Sequence, residues 1–122
     1  MGVRRFEDLE CWQAARTLVA ETYELTCFDQ FSRDFCLRDQ IRRAAISVMA
    51  NIAEGFGVVS DIEFIRFLGY SSRSAIEVQS HLYIAIDLHY ILPEHFDATF
   101  ERCQECINKC RAFIKYLKVP QT

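Results

Sequence analysis

Six cysteines, three histidines and one stripe of polar residues are the side chains in this 122-residue sequence with the means to do chemistry. Cys103-x-x-Cys106-x-x-x-Cys110 places three thiols on one side of a helix, and thiolates are strong ligands for zinc and iron–sulfur clusters. The same spacing also fits packing. Cys103 and Cys110 fall on an apolar seam where a small side chain is expected, Cys106 lies beside it, and no fourth ligand stands nearby in sequence. Packing is therefore the expected role of these three, and of Cys11, Cys27 and Cys36, with no metal and no cofactor. A disulfide framework is not expected in a chain that can build its own core.

His81, His89 and His95 sit in no recognisable catalytic motif. A carboxylate di-iron bundle needs Glu-x-x-His pairs, and position 78, three before His81, is Val78. A helical ribonuclease built on an arginine, a short spacer and a histidine would need closer residues than Arg73 and His81. There is no Gly-x-Ser-x-Gly elbow and no glycine-rich phosphate loop. The sequence predicts a protein that is not an enzyme.

The polar stripe is different. Gln40, Arg43, Ser47, Asn51 and Glu54 recur at spacings of 3, 4, 4 and 3, immediately beside an apolar line. Folding the next helix back about Val58 brings Arg43 opposite Ser74 and Gln40 opposite Glu77. A network among Gln40, Arg43, Ser74 and Glu77 is expected, serving register more than stability.

Four helices must position these residues. Apolar spacing predicts the first from Asp8 to Phe28, with Leu9, Trp12, Leu18, Val19, Tyr23 and Leu25 inward and with Glu7, Asp8 and Glu10 near its positive end. Ser32 or Arg33 opens a second, stacking Leu37, Ile41, Ala45, Val48 and Ile52, which Gly55 and Gly57 are expected to stop. Ser60-Asp61-Ile62-Glu63 reads as a reciprocal capping box opening a third that runs to Tyr90. Pro93 begins the fourth, whose Phe96, Phe100, Cys103, Ile107, Cys110, Ile114 and Leu117 repeat at spacings of 4 and 3 as far as Lys118. Short breaks between long helices give one domain over residues 1–122, an all-α, antiparallel, up-down-up-down four-helix bundle. The third helix carries two apolar lines, Ile65, Leu68, Ala75, Leu82 and Ile86 beside Phe64, Phe67, Val78, Ala85 and Leu88, and the first adds Cys11, Leu18 and Leu25 to its stripe. That width predicts a homo-oligomer, with some of this surface meeting another subunit.

Seventeen acidic residues against 14 basic ones give a net charge of −3, which argues against coating nucleic acid by bulk charge. The acidity is concentrated in the first and third helices. Arg4 and Arg5 begin the chain, and Lys109, Arg111, Lys115 and Lys118 follow Glu105 without acidic company, so a local RNA or DNA contact is expected there if anywhere. The longest charge-free stretch, Ala44 to Ala53, has ten residues, half of the roughly 20 a membrane span needs. The N-terminus lacks the pattern of a secretory signal, and the sequence reads as cytoplasmic.

Phe6-Glu7-Asp8-Leu9-Glu10-Cys11-Trp12-Gln13-Ala14-Ala15, the run from Leu37 to Val48, Asn51-Ile52-Ala53-Glu54-Gly55, and Glu63 to Leu68 with Ser74 and Glu77 together resemble the bacterial four-helix bundle proteins encoded in intervening sequences of 23S ribosomal RNA genes. Arg73 stands where that family is expected to have a small residue. The resemblance implies a bundle similar to subunits of homopentameric barrels, and it implies no reaction. A related protein, the accessory variability determinant of diversity-generating retroelements, pairs such a pentamer with a basic, nucleic-acid-binding surface. An assembly or adaptor module, with RNA, DNA or another protein as partner, is the function this likeness implies.

Overall fold

The computed structural model describes residues 2–58 and 60–120 and is helical throughout its regular elements. A 3-10 turn at Phe6–Asp8 leads into α1 (Glu10–Thr26), a one-turn α2 (Asp29–Arg33), α3 (Phe35–Phe56), α4 (Asp61–Asp87) and α5 (Pro93–Lys118). Each long helix packs on two others in a ring, α1 on α3 and α5, α4 on α3 and α5. Neighbours run antiparallel. Glu10 meets Lys109 and Glu21 meets Arg102 across α1 and α5, while Ser71 meets Val48 and Gln79 meets Phe100 on either side of α4. The up-down-up-down bundle is the observed architecture.

The apolar spacing explains the core. Leu37, Ile41, Ala45, Val48 and Ile52 of α3 are all buried, as are Leu18 of α1, Leu68, Ala75, Val78 and Leu82 of α4, and Cys103, Ile107 and Cys110 of α5. At about 25 cal/mol per Å² of apolar surface removed from water, such a continuous core supplies the main force holding the helices together.

Several local features differ from the expectations. Thr26 ends α1, and Phe31, fully buried on α2, then plugs that end of the core. Its ring lies 5.4 Å from that of Tyr90, whose hydroxyl donates to Asp34 Oδ2 at 2.9 Å. Asp34 also caps α3 by accepting from the Leu37 amide. The bond to the carboxylate raises the Tyr90 phenol above its usual pKa. Ser60 caps α4 by accepting from the Glu63 amide, but the Glu63 carboxylate pairs with Arg66 and does not close the reciprocal box. The third long helix ends at Asp87, earlier than Tyr90, because His89 takes a left-handed conformation (φ 61°) and the Tyr90 and His89 amides turn back to the carbonyls of Ala85 and Ile86.

Gly55 does not stop α3. It lies inside the helix, buried, where a Cβ would come within 2.6 Å of Phe67 Cβ and 2.8 Å of Phe64 Cδ1. Its role is close approach of α3 to α4, and Gly57 alone caps the helix.

Both apolar lines of α4 are largely inside this one chain, with Phe64, Leu68, Ala75, Val78, Leu82 and Ala85 buried where α4 packs on α3 and α5. The surplus width read from the sequence is thus consumed by the monomer core, Leu88 excepted; Cys11, Leu18 and Leu25 of α1 are buried in the same way. What stays outside is a third line on α4. Ile62, Gly69, Ile76 and Tyr83 stand seven residues apart on its outer side, with Ile84 beside them, and Ile62 and Tyr83 are 73% and 53% exposed.

Candidate functional site

Three places concentrate polar or reactive groups. The first is the outer edge of the α3–α4 contact. Ser74 Oγ donates to Ser47 Oγ at 3.0 Å, and Asn51 Nδ2 donates to the Ser47 carbonyl and hydroxyl at 2.8 and 3.0 Å. Deeper in, Ser71 Oγ donates to the Val48 carbonyl at 2.7 Å. Two helices tied by hydroxyls can approach closely, which agrees with the tight contact at Gly55.

The expected network among Gln40, Arg43, Ser74 and Glu77 is not the one formed. Arg43 donates to Gln40 on its own helix, and Glu77 pairs with His81 at 3.1 Å on its own. The hairpin register is the reason: Ser74 faces Ser47, one helical turn away from Arg43. Arg43, Glu54 and Glu77 are exposed, and Gln40, Ser47, Asn51 and Ser74 are half-buried.

Two further polar contacts are made by arginines that the polar stripe did not contain. Arg42 donates through Nε to Thr26 Oγ1 at 2.7 Å and lies 4.5 Å from the centre of the Tyr23 ring, covering an aromatic side chain that spacing placed inside but that is half-exposed. Arg102 joins Glu21 at 3.0 Å and Glu105 at 2.8 Å. Only tertiary structure brings Glu21 and Arg102 together, so sequence spacing carries no signal for the pair.

At the end of the bundle where α1 begins and α5 finishes lie the basic residues. Arg5 pairs with Glu7 at 2.7 Å, and Lys109 with Glu10 at 3.2 Å. Arg4, Arg111, Lys115 and Lys118 are exposed and have no carboxylate partner among the described residues. Beside them, residues of the N-terminal segment, α1 and α5 line an open, mainly apolar groove of about 590 Å³.

The cysteines divide by place. Cys11, Cys103, Cys106 and Cys110 are buried, whereas Cys27 and Cys36 are exposed, contrary to the packing role expected of all six. Cys27 lies just beyond the end of α1 and Cys36 in the first turn of α3, positions exposed at the opposite end of the bundle. Burial pushes the Cys106 thiol up to about 12 and raises Cys103 as well, so both stay protonated. Among the described residues no three of His, Cys, Asp and Glu form a metal-holding group. No helix among them is long and apolar enough to cross a membrane.

Residues 7–112 match the family model of the 23S rRNA-intervening sequence protein. The chain belongs to that family. The match spans α1 to most of α5, and so includes the Ser47–Ser74 contact, Gly55 and the buried thiols. A crystal structure from Bacteroides thetaiotaomicron, described as a protein of unknown function from the S23 ribosomal protein family, superposes with a TM-score of 0.79. The two are 23% identical, and the match covers 86% of this chain and 98% of the other. At that identity the likeness shows the shared bundle fold. No curated protein matches this chain.

Proposed function

We propose that this chain is a non-enzymatic, self-associating bundle that works in the cytoplasm as an assembly or adaptor module. The observation that carries the reading is the exposed line on α4. Ile62, Gly69, Ile76 and Tyr83 repeat every seven residues, the period that lets one helix lie along another with knobs set into holes. At Gly69 a Cβ would meet nothing within 4 Å, so the gap is open toward a neighbour and not filled from within. A solvent-facing apolar line of this length on an otherwise packed helix marks a surface for association. Its occupant is a second copy of the chain, and the resemblance to subunits of homopentameric barrels supports five copies in all.

Light scattering on the purified protein is expected to give a multiple of the chain mass. Replacing Ile76 by Asp should return it to one chain without unfolding it, since that side chain is about half outside, whereas the Tyr83 ring also packs on Phe96 and Phe100 of α5. A wild-type monomer at micromolar concentration sinks the reading.

A second reading, nucleic-acid binding by the assembled protein, rests on Arg4, Arg111, Lys115 and Lys118. These cations are unneutralised, and repetition around an assembly would turn a weak patch into a multivalent one. Structured RNA or duplex DNA should be retarded at about 50 mM salt and released by about 200 mM, as phosphate contacts require. Equal mobility with and without protein at the lower salt excludes it.

A further inference from the structure

Three contacts fix the levels of α3 and α4 against each other: Ser74 meets Ser47, Ser71 meets Val48, and Gly55 sits against Phe64 and Phe67. The helices run antiparallel, so residue numbers at one level sum to about 120 along the whole contact. By that register Arg66 of α4 is level with Glu54 of α3, Tyr70 with Ala50, Ile76 with Ile46 and Glu77 with Arg43. All eight of these side chains are exposed. Each charged member is opposite in sign to the residue at its level, and each apolar one is level with an apolar one.

Within one chain these pairs do not meet. Arg66 pairs with Glu63, Glu77 pairs with His81 and Arg43 donates to neutral Gln40, each on its own helix, and Glu54 has no ion pair among the described residues. Such exposed pairs along one helix are weak and readily exchanged.

We propose that the outer face of α3 in the next copy covers the exposed surface of α4, so that copies associate head to tail in a closed ring whose axis runs along the bundle. This rests on the self-association proposed above and names the two faces that make it. In such a ring all copies stand at one height, and α4 of one copy runs antiparallel to α3 of the next, so the levels carry over from the chain to the assembly. Arg66 then lies opposite Glu54 of the next copy and Glu77 opposite its Arg43, with Tyr70 over Ala50 and Ile76 beside Ile46 between the two ion pairs. The Tyr70 ring is propped by Phe67, 5.7 Å away, and Ala50 offers it a smooth surface. A two-fold pairing of α4 with itself, centred on the exposed line, would instead bring Arg73 against Arg73 of the second copy. Closure follows from the fold. α3 and α4 occupy neighbouring corners of the bundle and face outward in directions roughly 90° apart, so repeated head-to-tail contact closes after about four or five copies.

The test mixes two full-length chains, both carrying Cys27→Ser and Cys36→Ser, one with Ala50→Cys and the other with Tyr70→Cys. After subunit exchange and oxidation with copper phenanthroline, a disulfide between positions 50 and 70 of different chains is expected from the mixture and from neither variant alone. A link formed by the Tyr70→Cys chain alone would set α4 on α4 and overturn the proposal. An assembled wild type whose variants give no 50–70 link would overturn the choice of α3 and leave self-association standing, whereas a wild-type monomer removes both. Charge reversal gives an independent measure by light scattering. Glu77→Arg should raise the concentration at half assembly by about tenfold, and adding Arg43→Glu should recover it; failure to recover counts against the pairing.

Discussion

Phe31→Ala is expected to destabilise the protein by about 3–5 kcal/mol, the usual cost of removing a fully buried aromatic ring. Among the described residues Phe31 is the largest side chain wholly excluded from water, and it is carried by a helix of five residues that has little else to hold it. Removing the ring opens a cavity under Tyr90 and loosens the Tyr90–Asp34 bond, and with it the cap of α3. Against a total stability of about 5–15 kcal/mol, such a loss is a large share. Urea unfolding monitored by circular dichroism would show it as a lower midpoint. Phe35→Ala is the internal control, because Phe35 is 64% exposed and its loss should stay within about 0.5 kcal/mol. Equal midpoints for the two variants would remove α2 from its place as the plug of the core.

Gly55→Ala should be the second costly change, at about 2 kcal/mol or a Tm lower by roughly 8 °C. Alanine in a helix interior is intrinsically better than glycine by about 1 kcal/mol, so the sign of the result is informative. The added Cβ would sit 2.6 Å from Phe67 Cβ, an atom fixed to the α4 backbone, and the helices must move apart to admit it. That movement stretches the Ser47–Ser74 and Ser71–Val48 hydrogen bonds further along the same contact. A Tm that rises with the substitution would overturn the idea that the close approach of α3 and α4 at Gly55 needs a residue without a Cβ.

The long helices were legible because their stabilisation is periodic. The α5 seam of Phe96, Phe100, Cys103, Ile107, Cys110, Ile114 and Leu117 states its buried face in the spacing alone, and each of these residues is buried or half-buried. α2 was not legible, since five residues hold barely one turn and show no period. Gly55 was misread for a related reason: glycine has the same appearance in sequence whether it ends a helix or admits a neighbour, and only the path of α4 distinguishes the two. The polar stripe was found but its partners were not. A change of one turn in the hairpin register exchanges Arg43 for Ser47 opposite Ser74, and a connection as short as residues 57–60 does not announce its own geometry. Exposure of Cys27 and Cys36 likewise depends on where α1 ends, which residue type leaves open.

An even number of long helices has a consequence for how the chain could be joined to anything else. α1 begins and α5 finishes at one pole, where Gly2 and Val3 share a groove with Phe113 and Tyr116, while α2 and the turn around His89 occupy the other. A fluorescent label or fused domain attached at either end would therefore emerge from the same pole. The opposite pole, where Phe35, Leu88 and Leu92 are exposed, is left unobstructed for immobilisation or for a tether in single-molecule work.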